Sequence, residues 1–182
     1  GYDAGNELDP RDVAKRIIAR EIVPVIRGKA EWGPRALGNR SILSDPRNAK
    51  MKDILNEKIK HREGFRPFAP TIMEEYTSEY FDLEIPSPYM LLVTKVKKPD
   101  QIPAVTHVDG TARVQTISRM TNELYYDLIN EFYKLTNVPV LINTSMNVRG
   151  EPIVNTPEQA HNMIVKTDMD YIVMGNYLIS RL

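Results

Sequence analysis

Segments that read as strands interleave with segments that read as helices along the 182 residues. That order predicts an α/β (or α+β) domain with a twisted mixed β-sheet flanked by helices. Three observations carry the prediction. Leu124, Leu128, Phe132 and Leu135 recur at helical spacing, as do Met51, Ile54, Leu55 and Ile59. Short β-rich runs are bounded by Gly, Pro, Asn and Asp. One wholly apolar run, 138–142, reads as a buried strand.

In chain order, residues 1–8 read as a polar leader or a short cloning scar. Asp9 stands as an N-cap with Pro10 at the first helical position, opening a helix to about Arg20 with Val13, Ile17 and Ile18 inward. Residues 22–26 form a short strand, and Pro24 within it points to an edge or a strand end. Residues 28–46 are loop-rich, with Gly28, Gly33, Pro34, Gly38 and Pro46. A helix follows over 48–60, then an extended stretch at 65–72 broken by Pro67 and Pro70. A short helix near 73–80, a bend at 84–88 and a strand at 89–96 come next. Residues 104–107 and 111–116, either side of Asp109-Gly110, read as a hairpin. Thr121 is the expected cap of the long helix ending near Leu135. Thr156 caps a helix over 157–166, and strands at 171–174 and 177–179 flank Gly175-Asn176. No repeat or low-complexity tract is visible, and the length fits one domain.

Composition narrows the function. Lys+Arg and Asp+Glu stand at 24 each, so the net charge is zero. That argues against non-specific binding to nucleic acid or a membrane surface, both of which need a basic excess. The absence of cysteine excludes a disulfide framework and a thiolate metal site. No apolar run reaches the roughly 18–20 residues of a bilayer span, and no signal-peptide pattern opens the chain. A cytoplasmic protein is expected.

Polar side chains collect in three irregular stretches, where a rigid scaffold usually places ligand chemistry. The first runs from Gly28 to Ser41. Its glycines permit close backbone approach, and Arg35 and Arg40 offer fork-shaped donors suited to phosphate. It lacks the Gly-Lys-Ser/Thr ending of a P-loop, and solvated surface arginines explain it equally well on its own. The second is Lys60-His61-Arg62-Glu63-Gly64-Phe65-Arg66-Pro67-Phe68. A helix C-terminus accounts for Lys60 and Arg62 but poorly for Arg66, which stands between two aromatics and there calls for an anionic partner. The third is Asn143-Thr144-Ser145-Met146-Asn147, delivered by an apolar strand to its carboxyl end, where α/β sheets bind ligands. No His/Asp partners flank Ser145, so a hydrolase triad is weak. Alternation points Thr111, Arg113 and Gln115 to one face of a strand, whereas His107 and Asp109 read as turn chemistry.

Taken together, four stretches resemble the carbamoyltransferase family of antibiotic and nodulation-factor biosynthesis. They are Glu31-Trp32-Gly33-Pro34-Arg35-Ala36-Leu37-Gly38-Asn39-Arg40-Ser41-Ile42-Leu43, Arg62-Glu63 with residues 65–70, residues 107–116, and Asn143-Thr144-Ser145 with Asn147 and Gly150-Glu151-Pro152-Ile153. They occur in the expected order across 28–160. Met146 stands where the family pattern leads one to expect Phe, and Trp32 where Phe is common; both stay apolar.

The resemblance implies a YrdC-like domain spanning 1–182, one part of a two-part enzyme whose N-terminal, metal-binding transferase half is absent from this chain. It implies formation of a carbamoyl-adenylate from ATP, with Mg²⁺, and carbamoyl phosphate, followed by transfer to a small-molecule hydroxyl acceptor in the other half. Carried over residue by residue, Lys60 and Arg66 resemble the catalytic basic pair around the carbamoyl and phosphate groups. Arg35, Arg113, Ser145 and Asn147 resemble nucleotide or carbamoyl-phosphate contacts. No metal ligand is assigned. Such a step calls for positioning and cationic neutralisation rather than a protein nucleophile. The rival reading is a non-catalytic nucleotide- or RNA-binding YrdC-like module, against which the zero net charge counts.

Overall fold

A computed structural model describes residues 6–167, 169 and 171–180. The first five residues of the expected leader lie outside the described residues. Among those described, nine strands form one mixed sheet in the order β1-β9-β8-β2-β3-β7-β4-β6-β5. The strands are β1 (Asn6–Glu7), β2 (Val23–Ile26), β3 (Arg40–Ser44), β4 (Ala69–Met73), β5 (Leu92–Lys95), β6 (Thr111–Ile117), β7 (Val140–Ser145), β8 (Tyr171–Met174) and β9 (Tyr177–Ser180). Two adjacent pairs, β2–β8 and β4–β6, are parallel, and the other six are antiparallel.

Five α-helices accompany the sheet among the described residues: α1 (Pro10–Ile18), α2 (Met51–Leu55), α3 (Thr77–Tyr80), α4 (Glu123–Thr136) and α5 (Pro157–Val165). Capping chemistry fixes where the longer ones begin. The Asp9 carboxylate accepts from the Arg11 N–H at 2.8 Å ahead of Pro10. Thr156 and Gln159 form a reciprocal capping box for α5. α4 starts at Asn122, whose side chain accepts from the Tyr125 N–H at 3.2 Å. Thr121, the expected cap, instead donates its hydroxyl to the Ser118 carbonyl.

α1 packs along α4, and the pair covers β2, β3, β4 and β7. Val25, Leu43 and Val173 face this layer with Val13, Tyr125 and Leu128. Ile172 and Met174, pointing the opposite way, line a groove against α5. Both faces of the central sheet are therefore covered, and Ile42, Ile72, Val140, Leu141 and Ile142 are fully buried.

Several expectations change. Within the loop-rich stretch, Arg40–Ser44 is a buried strand between β2 and β7. The segment before the Asp109 turn is a 3-10 turn, Pro103–Val105, and the antiparallel partner of β6 is β5. Proline fixes φ and lacks the N–H a ladder needs, which explains why Pro103 opens a turn there. Pro24 sits inside the sheet, but β8 joins β2 only at Val25 and Ile26. The expected helix near 73–80 is a 3-10 turn, Glu74–Tyr76, followed by α3. Finally, the helix over 48–60 changes type midway: α2 widens into a π-helical turn, Asn56–Lys60, that ends at His61 in the left-handed region with φ 45°.

Candidate functional site at the carboxyl end of the central strand

The π turn decides where Lys60 points. A regular α-helix would place residue 60 roughly 140° around from Leu55. With one wider i→i+5 turn, Lys60 comes back beneath the buried face and is only 5% exposed. Its ammonium then donates to the carbonyls of Ser145 and of Asn147 (2.9 Å) and to Asn147 Oδ1 (2.8 Å). Ser145 Oγ donates to the same Oδ1 at 2.7 Å, and Asn147 Nδ2 donates to the Glu151 carbonyl at 2.8 Å. Helix and strand end are thus tied through one lysine. Burial, with a smaller contribution from the Arg62 charge, pulls the Lys60 pKa down to about 7. The oxygen cage opposes that fall, because it favours the protonated form.

Next to it, residues 60–66 carry the guanidinium groups. Arg62 donates through Nε to Asn56 Oδ1 at 2.7 Å and lies 4.9 Å over the Phe68 ring. Its two Nη atoms have no hydrogen-bond partner among the described residues, so a fork of donors remains open. Arg66 differs from the expectation of a half-buried cation held between aromatics. Phe65 is 77% exposed, and Arg66 pairs through Nε with the Glu63 carboxylate at 3.2 Å on the surface. The aromatic company belongs to Arg62. Arg66, Arg149 and Arg62 all help hold the Glu63 carboxyl below its ordinary range, after its own backbone N–H, which has the largest effect.

A second group forms around the loop between β2 and β3. One oxygen of Glu31 accepts three backbone N–H groups, from Leu37 (2.9 Å), Asn39 (2.7 Å) and Arg40 (3.0 Å). The amides of Asn143 and Gln115 donate to the carbonyls of Ala36 (3.1 Å) and Leu37 (3.0 Å). Gln115 in turn accepts from Thr71 and Asn143. Thr71, Gln115 and Asn143 come from three adjacent strands and are all buried, so this network fastens the loop to the sheet. Gly38, at φ +121°, leaves no room for a side chain: an added Cβ would lie 2.4 Å from the Tyr125 ring. Arg40, expected as a phosphate donor, grips the carbonyls of Arg27, Asn39 and Asn155 instead. Arg35 is exposed near the loop tip beside Trp32, which is 98% exposed.

Arg113 is two residues before Gln115 on the same face of β6. Its Nε is buried without a partner, and burial first, then the Arg35 charge, lowers its pKa. Lys60, Ser145 and Asn147 are therefore in direct contact, Arg35 and Arg113 face each other electrostatically, and Arg66 stands beside Arg62. No contact joins the first set to the Arg35–Arg113 pair among the described residues. The register nonetheless brings them to one end of the sheet, since Asn143 pairs with Ala69, Thr71 with Gln115, and Ser41 with Ser145. Sequence reasoning missed Asn56 and Glu31 as organisers of these loops. A lone Asn in a helical run and a Glu at the head of a Gly-rich stretch were the only signals.

Among the described residues no helix is long and apolar enough to cross a membrane. Nor do three His, Cys, Asp or Glu side chains gather there as a metal site.

The mixed sheet covered on both faces has the α/β fold of YrdC/Sua5 and HypF domains. The fold aligns with P. abyssi Sua5 complexed with L-threonine at a TM-score of 0.66 and 16% identity, over 94% of this chain and 49% of that one. It aligns with T. kodakarensis HypF at 0.66 and 21% identity, over 90% and 20%. The chain belongs to the carbamoyltransferase C-terminus family, whose model matches residues 14–181. Nodulation protein NolO of Bradyrhizobium diazoefficiens is 47% identical over 88% of this chain and 30% of its own length. Nodulation protein U of Rhizobium tropici is 45% identical over 76% and 24%. The chain thus spans about a quarter to a third of the curated relatives it matches.

Proposed function

We propose that this domain is the carbamoyl-activating part of an O-carbamoyltransferase, joining carbamate to AMP. Carbamate oxygen, released with phosphate when water cleaves carbamoyl phosphate, attacks the α-phosphorus of ATP. Pyrophosphate leaves, and carbamoyl-adenylate passes to a hydroxyl acceptor handled by another part of the longer enzyme. Carbamoyl phosphate, carbamate and ATP are all anionic, so the protein's task is to hold like charges together.

The observation that carries this reading is the open Arg62 fork beside the Lys60–Ser145–Asn147 knot, at the end of a central strand. Arg62 and Arg66 supply donors for phosphoryl oxygens, and Lys60 adds a buried cation behind them. Asn147 has a second Nδ2 proton for a carbamoyl oxygen. Arg113, with its unpartnered Nε, and Arg35 are suited to a second phosphate group at the same sheet end. Mg²⁺ would arrive with ATP.

The test uses this chain with ATP, Mg²⁺ and carbamoyl phosphate, with and without the N-terminal part of a longer relative added in trans. Calorimetric ATP binding and slow pyrophosphate release are expected, with mass spectrometry showing no carbamoylated acceptor until the second part is added. Failure to bind any adenine nucleotide would sink the activation reading. Carbamoylation of an acceptor by this chain alone would overturn the division of labour.

A further inference from the structure

We infer that Asn56 is a positioning residue that sets Arg62, and with it the 60–66 turn, for an anion; the inference rests on the anion-binding reading above. Asn56 is 1% exposed at the first position of the π turn. A buried amide is costly unless its groups are bonded, and asparagine does nothing for helix propensity. Here every side-chain contact goes to one short segment, residues 62–66. Nδ2 donates to the carbonyls of Gly64 (3.3 Å) and Arg66 (3.0 Å). Oδ1 accepts from Arg62 Nε at 2.7 Å. Its main-chain carbonyl accepts from His61, closing the wide turn, and from Arg62 at 3.1 Å.

The consequence for Arg62 is specific. Its Nε is held by Asn56 and one face by Phe68, while the Nη edge keeps its donors without a hydrogen-bond partner among the described residues. An arginine so fixed has already lost most of its rotamer freedom, a cost that an arginine free in solvent meets only on binding. An apolar residue of similar volume would fill the same space without tethering the turn. The polar choice therefore points to geometry rather than packing.

A double-mutant cycle tests the link, with sulfate as the titrant and Asn56→Ala, Arg62→Gln and both together as variants. Each single change should weaken sulfate binding about tenfold, the loss of one charge-assisted contact. The double variant should be no weaker than either single one. Losses that multiply, or an unchanged affinity in Asn56→Ala, would overturn the inference. A second readout needs no ligand: hydrogen exchange of the Arg62 Nε–H by NMR. Protection that vanishes in Asn56→Ala supports the tie, and equal exchange in both proteins refutes it, whether or not the wild-type domain binds sulfate. Should Asn56→Ala fail to fold, Asn56→Asp keeps the acceptor opposite Nε. Protection must then persist, and its loss there counts against Asn56 as the anchor.

Discussion

At Lys60, two effects of pH run in opposite directions. Its pKa is depressed to about 7, so the folded domain holds that proton less tightly than the unfolded chain does. Between about 7 and the ordinary value of 10.5 the unfolded state binds more protons, and stability of the ligand-free domain should rise with pH through that window. Anion binding should do the reverse. Sulfate keeps its charge near neutrality while Lys60 loses its own, so affinity should be highest below about 7 and fall as pH climbs. Calorimetric titrations of sulfate across this range check the point. In Lys60→Met the slope should flatten, because the remaining guanidinium groups stay charged throughout. A slope that persists in that variant would move the titrating group elsewhere.

Among the elements, the 31–40 loop shows how an irregular segment becomes rigid. Three N–H groups converge on one carboxylate oxygen, and two carbonyls are held by buried amides. Glu31→Gln keeps an acceptor of the same shape but removes the charge, so the expected loss is about 2 kcal/mol, typical of charge-assisted bonds. Chemical denaturation reads that loss. Amide exchange should accelerate at Leu37, Asn39 and Arg40 ahead of the rest of the sheet, and uniform acceleration would mean that the carboxylate does not act locally. Its glycines mark this loop in the sequence, but nothing there marks its clasp. A glutamate's partners here lie six to nine residues on, beyond the reach of any helical or strand period.

For the whole molecule, the alternation of elements sufficed to predict the α/β class, because Asp9-Pro10 and Thr156 with Gln159 mark helix starts by local chemistry. Arg40–Ser44 escaped notice since its polar residues hide the pattern of a buried strand: Ser41 Oγ accepts from the Gly38 N–H, and Arg40 reaches the carbonyls of Arg27, Asn39 and Asn155. The pairing of β5 with β6 was equally invisible, as 15 residues of loop separate Lys95 from Thr111. For the site, Lys60, Ser145 and Asn147 were each singled out in the sequence, but Lys60 was paired there with Arg66; its contact with Ser145 and Asn147, like the preference of Phe68 for Arg62 over Arg66, depends on a turn type no pattern announces.

The pairing of β1 with β9 has a topological consequence. Asn6 lies opposite Leu178 and Glu7 opposite Tyr177, so the first and the last strand among the described residues lie side by side, about 4.8 Å apart. A circular permutant joining residues near 6 and 180 through a short glycine-serine link, and opened beside Met120, which is 98% exposed between β6 and α4, should preserve every strand pairing. Its melting should remain a single cooperative transition by circular dichroism. A broad or split transition would show instead that the native connection between β6 and α4, and not the strand pairing alone, holds the sheet together.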